Sequence, residues 1–396
     1  MKPDLNQTMA EATRLVGLGD LRRATAIIQQ GLGNPAGFPG GAVDFPLAGQ
    51  RVESAQGAVL DGIFERIADW PPSTTPNPAA PAGDPAGTNS GDAARFTTLT
   101  HRNAAGSRSY KLYVPAGDPA RPRPLIVMLH GCTQGPDDFA AGTRMNQLAD
   151  EHGFIVAYPA QAQSANSTKC WNWFQPGDQQ RDRGEPSLIA GIARDVAGAC
   201  AVDPARVHLA GFSAGAAMAV IVAAAYPDLY AAVGIHSGLG LGVAHDIPSA
   251  LAAMRAGGAG SGPLPRRRPA TGASGLRVPA IIFHGDRDTT VHPRNGEQII
   301  GQWGEPAGEA AIGPEVPAES GQAPGGRPYT RRILRGTAER PLLEHWRLHG
   351  AGHGWSGGSI AGTYTDPRGP DAAREMVRFF AQNPRDVSAS TRAPGT

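Results

Sequence analysis

Apolar and polar residues change rhythm repeatedly along the chain. Residues 109–114 alternate singly, as in a strand with one covered face. Residues 125–129, LIVML, are apolar throughout, the pattern of a strand covered on both faces. Residues 136–152 read as helix and 154–158 as strand. Residues 187–200 read as helix again, with Leu188, Ile192 and Val196 on one stripe. A strand at 207–210 precedes an Ala-rich helix at 214–226. Strands follow at 232–235, 280–283 and 345–348, and a helix at 369–382 closes the order. Strands alternating with helices predict an α/β protein, with a mostly parallel central sheet and helices on both faces.

The flanks read differently. Residues 8–32 have the marks of a helical hairpin. Thr8 and Glu11 have capping-box spacing, Gly17 and Gly19 break the pattern, and Asp20 can cap a second helix with Leu21, Ala24, Ile28 and Leu32 on one face. A peripheral helical pair or docking element is the reading here, with a targeting or granule-binding role as the sharper alternative. Residues 33–57 read as irregular and 59–70 as a short amphipathic helix, giving an N-terminal helical segment over 1–70. The Pro/Gly-rich stretch 71–93 offers almost nothing to bury and reads as a disordered linker. The predicted catalytic domain spans 94–384, with long mobile loops at 256–276 and 304–328, and 385–396 forms a disordered tail.

Composition narrows the classes. The 396 residues include 53 Gly and 36 Pro, more than a fifth of the chain, which fits long loops and linkers. With 36 Lys+Arg against 35 Asp+Glu, no basic excess points to nucleic acid. Three cysteines exclude a disulfide scaffold and a four-cysteine zinc site. The longest apolar stretch, 216–226, falls short of the roughly 18 residues a membrane span needs. The opening MKPDLNQ has no apolar core of a secretory signal. Cytoplasmic residence is the default expectation, with secreted or periplasmic placement left open.

The candidate chemistry begins at GFSAG, residues 211–215. Between an incoming strand and an outgoing helix, this Gly-x-Ser-x-Gly pattern predicts a strained turn that lifts the Ser213 hydroxyl above the sheet edge. The flanking glycines avoid clashes, and the Ala214 amide points at the developing oxyanion. A serine nucleophile needs a base, and the base needs an orienting acid. In this strand order the acid follows a later strand and the histidine the last one. Asp288, in HGDRD at 284–288, is the better acid, lying further beyond the strand end than Asp286, which is expected to brace the turn. His353, between glycines in GHGW at 352–355, is the expected base. His349 reads as structural, and a metal pair from His349 and His353 lacks a third ligand. Residues 130–134, HGCTQ, follow the buried strand; the Cys132 amide is the expected second oxyanion donor beside that of Ala214, and His130 is expected to be a packed support.

These motifs together resemble the poly(3-hydroxybutyrate) depolymerase family of esterases. The resemblance covers roughly 100–383. It rests on LHGCTQ at 129–134, CWNWF at 170–174, DPARV at 203–207, GFSAG at 211–215, YPD at 226–228, HSG at 236–238, HGDRD at 284–288, GHGW at 352–355 and TDPRGP at 365–370. It implies an α/β-hydrolase fold and a serine esterase acting on polyester or hydroxyalkanoate esters, needing no metal or organic cofactor. It carries the nucleophile onto Ser213, the acid onto Asp288 and the base onto His353, and supports Cys132 as oxyanion donor. It also suggests a Cys132–Cys170 disulfide. Feruloyl and acetylxylan esterases resemble the same core, so these esters, or short-chain esters generally, are the alternative substrates. Trp171, Trp173 and Phe174 are read either as an apolar wall at the site mouth or as core. Trp355 is placed beside the base as a further substrate-binding candidate, shaping the site or screening it from water, and Cys200 is read as a buried free thiol.

Overall fold

The computed structural model describes residues 94–257, 278–304, 316–336 and 340–387. The expectations for 1–70, 71–93, nearly all of 256–276 and most of 385–396 fall outside the described residues. In chain order the elements are β1 (Arg95–Asn103), β2 (Gly106–Val114), β3 (Arg123–Leu129), α1 (Pro136–Thr143), α2 (Met145–His152), β4 (Ile155–Pro159), α3 (Gly184–Ala199) and β5 (Val202–Phe212). There follow α4 (Ala214–Ala225), β6 (Ala232–His236), α5 (Ile247–Ala256), β7 (Ala280–Gly285), α6 (Arg294–Gly304), β8 (Val316–Gln322), β9 (Pro328–Arg335) and β10 (Pro341–Leu348). The short strands β11 (Trp355–Ser356) and β12 (Thr365–Asp366) precede the final helix α7 (Ala372–Ala381).

One ten-stranded sheet runs β1-β2-β4-β3-β5-β6-β7-β10-β9-β8. From β4 to β10 every neighbouring pair is parallel. Antiparallel strands finish both edges. The parallel strands are covered on both faces, which is why they read as unbroken apolar runs. In β3, Leu125, Val127 and Leu129 belong to one apolar cluster, while Ile126 and Met128 belong to the other. The first cluster also takes in α3 and α4; the second takes in α1, α2 and α7. Helix α4 is apolar all round because the sheet and α3 enclose it, whereas α7 buries only Ala372, Ala373, Met376, Phe379 and Phe380. This layered arrangement, with a serine at the β5–α4 turn, is the α/β-hydrolase fold.

Several boundaries differ from the sequence reading, each for a physical reason. The expected helix 136–152 is two helices, because Arg144 adopts φ 56° and its N–H caps α1 at Ala140 O, 3.0 Å away. Within the expected mobile loop 304–328 lies β8, an edge strand whose described side chains are largely exposed. Strand β1 was not predicted either, since only His101 of its nine residues is buried. Its Phe96 nevertheless packs edge-on against Tyr113 and Tyr158. At the start of the expected tail, the Arg385 N–H donates to Ala205 O at 2.7 Å. Cys200 is a free thiol at the end of α3, but it is half-buried, not enclosed.

Strand β10, which leads into the His353 loop, is anchored by a buried carboxylate. Glu344 is fully buried; Arg331 approaches its Oε1 at 3.1 Å and Arg378 of α7 its Oε2 at 2.6 Å. The Trp346 indole N–H adds a donor at 3.3 Å. Two guanidinium partners and an indole satisfy a charge that would be very unfavourable alone.

Candidate active site

Ser213 sits between β5 and α4 at φ 54° and ψ −120°, a conformation side chains rarely adopt. Close packing requires glycine on both sides. A Cβ at Gly211 would lie 2.3 Å from Gly215 O, and one at Gly215 would lie 2.2 Å from Leu129 O. The Ser213 N–H is held by His236 O at 2.9 Å. The strained turn is therefore fixed from β3, β6 and its own helix.

His353 arrives on the loop after β10, its ring 4.8 Å from that of Phe212. The Ser213 hydroxyl donates to His353 Nε2 at 3.0 Å, and His353 Nδ1–H donates to Asp288 Oδ2 at 2.7 Å. Asp288 Oδ1 accepts the Thr290 and Val291 N–H groups at 2.9 and 2.8 Å. Burial alone would raise the Asp288 pKa. The His353 charge and hydrogen bond, His284 and the Val291 amide outweigh it, leaving the carboxyl below the usual carboxylate range. An ionised acid, an oriented imidazole and a hydroxyl thus stand in one line.

Asp286 points elsewhere. It accepts His349 Nδ1–H at 2.9 Å and the Gly350 N–H at 2.7 Å, bracing the turn after β10. His236 underlies the site. Its Nε2 accepts the Ser356 N–H at 2.9 Å, and its ring stacks on Trp355. Burial, then the neighbouring His284 and His353, hold it well below the ordinary imidazole value, so it stays neutral.

The loop after β3 carries Cys132. Gln134 organises it: its Oε1 accepts the Gly131 N–H at 2.9 Å, while its Nε2 donates to Asp138 at 2.8 Å and Thr363 O at 3.1 Å. Thr133 N–H is committed to Thr168 O at 2.7 Å. Among the described residues, neither the Cys132 nor the Ala214 N–H has an acceptor, so both remain available to an oxyanion. Cys132 and Cys170 are joined by a disulfide. His130 is buried. Its Nδ1–H donates to Gly131 O at 2.7 Å, its Nε2 accepts the Gln161 N–H at 3.0 Å, and burial lowers it to about 4. It supports the loop as a neutral group.

A family model described as "Esterase PHB depolymerase" matches residues 108–311, just over half of the chain. The chain belongs to this esterase family. The matched span includes Ser213 and Asp288; His353 lies beyond its end. Among curated proteins, poly(3-hydroxyalkanoate) depolymerase C of Paucimonas lemoignei is 35% identical over 246 residues, 61% of this chain and 57% of that protein. Acetylxylan esterase A of Talaromyces purpureogenus is 31% identical over 210 residues, 51% of this chain and 54% of that one. The chain thus spans little more than half the length of these relatives. A solved acetyl xylan esterase from Aspergillus awamori shares the fold, with a TM-score of 0.55 and 21% identity, over 73% of this chain and 99% of that one.

The four aromatic residues expected to line the site, Trp171, Trp173, Phe174 and Trp355, are all buried. Trp171 and Trp355 are 0% and 1% exposed, so neither presents a face to substrate. Trp171 donates its indole N–H to His130 O at 3.0 Å, and Trp355 lies edge-on to Phe139. Both are scaffold. Trp173 and Phe174 pack edge-on against each other with 5% of each exposed, which leaves little wall to offer.

What secures the CWNWF loop is Glu185, which no motif or period in the sequence marks out. Its carboxylate accepts the Asn172 N–H at 2.8 Å and the Gln161 amide, and lies 3.5 Å from Arg108. Burial and the nearby Asp178 raise its pKa to about 7. Gln134 was also missed as the organiser of its loop, although it stands inside the LHGCTQ motif. Among the described residues, no group of three or more His, Cys, Asp or Glu side chains is placed to hold a metal ion, and no helix is long and apolar enough to cross a membrane.

Proposed function

We propose that this chain is a serine esterase that hydrolyses hydroxyalkanoate esters, as polymer or oligomers, with residues 94–384 as its catalytic unit. The observation that carries the reading is the continuous contact from Ser213 Oγ through His353 to Asp288, at 3.0 and 2.7 Å. Ser213 attacks the ester carbonyl while His353 Nε2 takes its proton. Asp288 fixes the tautomer that leaves Nε2 free to do so and stabilises the imidazolium that forms. The Cys132 and Ala214 amides receive the tetrahedral oxyanion, one such donor being worth about 3 kcal/mol in the transition state. His353 then protonates the leaving alcohol, and a water it activates cleaves the acyl-enzyme to the free acid.

The polyester substrate is favoured by the 35% identity to a poly(3-hydroxyalkanoate) depolymerase. Acetyl or feruloyl esters of plant material are the second reading, supported by relatives named acetylxylan esterase and feruloyl esterase at 31% and 30% identity. Product release from amorphous poly(3-hydroxybutyrate), its soluble oligomers and methyl ferulate separates the two. Wild-type protein is expected to release hydroxybutyrate, and Ser213→Ala to release none while folding normally. Ferulate turnover without hydroxybutyrate release would select the second reading; retained turnover in Ser213→Ala would remove Ser213 as nucleophile.

A further inference from the structure

A cavity of about 760 Å³ shares Asp288 with the candidate site, but Ser213 and His353 do not line it. It lies against the ends of β7 and β10 and the start of α6. Arg255, Arg287, Arg294 and Arg347 line it, and all four are exposed. Among the described residues, none of these guanidinium groups forms an ion pair. The carboxylates there are engaged elsewhere: Asp288 with His353, Asp286 with His349, and Glu297 at 3.9 Å from Arg332. The cavity wall thus carries four arginines against three carboxylates, with Arg347 acting electrostatically on Asp286.

Deeper in the cavity lie two histidines. His284 and His345 are 2% and 4% exposed, and His284 Nδ1 and His345 Nε2 have no hydrogen-bond partner. Buried polar atoms are rarely left so, and an orphan in a cavity wall invites a ligand. Burial lowers both groups, His345 to about 3, so both imidazoles are neutral. His284 Nε2–H donates to Val291 O at 2.8 Å, which makes its Nδ1 a bare acceptor. A Cβ at position 296 would lie 3.1 Å from that atom, so glycine there spares it a tight contact. The arginines call for an anion, and the bare imidazole nitrogen calls for a donor.

We propose that this cavity binds a small hydroxycarboxylate, its carboxylate held by the arginines and its hydroxyl donating to His284 Nδ1. Guanidinium groups suit a carboxylate because their paired N–H donors match its two oxygens. The esterase reaction proposed above releases such an acid at each turnover, so this assignment rests on that reading for the ligand's source. Its binding can be measured without turnover.

The test is calorimetric titration of the full chain with sodium 3-hydroxybutyrate, sodium butyrate, sodium phosphate and sodium chloride at constant ionic strength. Wild type and Arg294→Gln/Arg347→Gln are compared, with hydrolysis of p-nitrophenyl acetate as an independent check of Ser213 chemistry. The 3-hydroxybutyrate is expected to bind saturably and about tenfold more tightly than butyrate. The double variant should weaken that binding at least about tenfold and leave p-nitrophenyl acetate hydrolysis unchanged. Equal binding of butyrate removes the hydroxyl contact, and tighter binding of phosphate overturns the carboxylate assignment. Absence of saturable heat, or unchanged affinity in the double variant, overturns the site. Loss of ester hydrolysis in wild type would count against the esterase reading, separately from these outcomes.

Discussion

Two histidine–aspartate pairs stand side by side where β7 and β10 end. In one, His353 Nδ1 meets Asp288 Oδ2 at 2.7 Å; in the other, His349 Nδ1 meets Asp286 Oδ2 at 2.9 Å. By that contact alone they are almost equivalent. The difference lies at the other ring nitrogen. His353 Nε2 accepts from the Ser213 hydroxyl at 3.0 Å, whereas His349 Nε2 accepts from Thr330 of β9 at 2.8 Å. Burial differs as well. The Asp288 side chain is fully buried and His353 is 9% exposed, while Asp286 and His349 keep 20% and 37%. A His–Asp pair is therefore not in itself a catalytic signal. The partner beyond the imidazole, and the exclusion of water around it, are what distinguish the two pairs.

Substitution at the two histidines breaks the comparison most sharply. His353→Ala should lower kcat/KM for ester hydrolysis by about 10⁴-fold or more with little change in Tm. His349→Ala should leave kcat within about threefold and lower stability by about 1 kcal/mol, through loss of the Asp286 and Thr330 contacts. The aspartates follow with smaller effects. Asp288→Asn should cost about 10³- to 10⁴-fold in kcat by favouring the wrong imidazole tautomer, and Asp286→Asn less than about tenfold. Kinetic measurement of the four variants checks both; the reverse ranking within either pair would exchange their roles.

Titration of stability gives the subtlest contrast. Asp288 and Asp286 are held below the ordinary carboxylate value by their histidines, against the pull of burial. Their stabilisation is full above the unfolded value of about 4 and is lost as pH falls through the lower folded value. Glu185 runs the other way, because burial and Asp178 outweigh the Gln161, Asn172 and Arg108 contacts and lift it from 4.5 to about 7. Folded protein then holds a proton that unfolded protein releases, so stability falls as pH rises between those two values and levels off above. The cost is on the order of 3 kcal/mol. Thermal unfolding from pH 4 to 8 should show this decline in wild type and a flatter profile in Glu185→Gln. An equal decline in the variant would assign it to another group.

The parallel strands were legible because each is buried on both faces and reads as an apolar run. LIVML in β3 and AIIF in β7 admit little else. The edge strands were not, since β1 buries only His101 and the sequence around β8 is rich in Gly and Pro. Their pairing comes from neighbouring backbone, which no side-chain period records. The grouping of Ser213, Asp288 and His353 was readable because each follows a strand in a fixed order and glycines mark the turns around two of them. Glu185 and Gln134 act through contacts with residues far along the chain or in folded loops, and composition hides them among ordinary polar positions. Trp171 and Trp355 were ambiguous for a related reason: an aromatic near a site motif reads the same whether it faces substrate or, as here, props up the loop behind it.

Covalent labelling tests the central claim most directly. Wild-type protein, His353→Ala and His349→Ala are each treated with phenylmethylsulfonyl fluoride, and the modified residue is located by peptide mass spectrometry. The account predicts one stoichiometric adduct on Ser213 in wild type, formed at an unchanged rate in His349→Ala and nearly abolished in His353→Ala. An adduct on a different serine, or equal loss of labelling in both histidine variants, would contradict it.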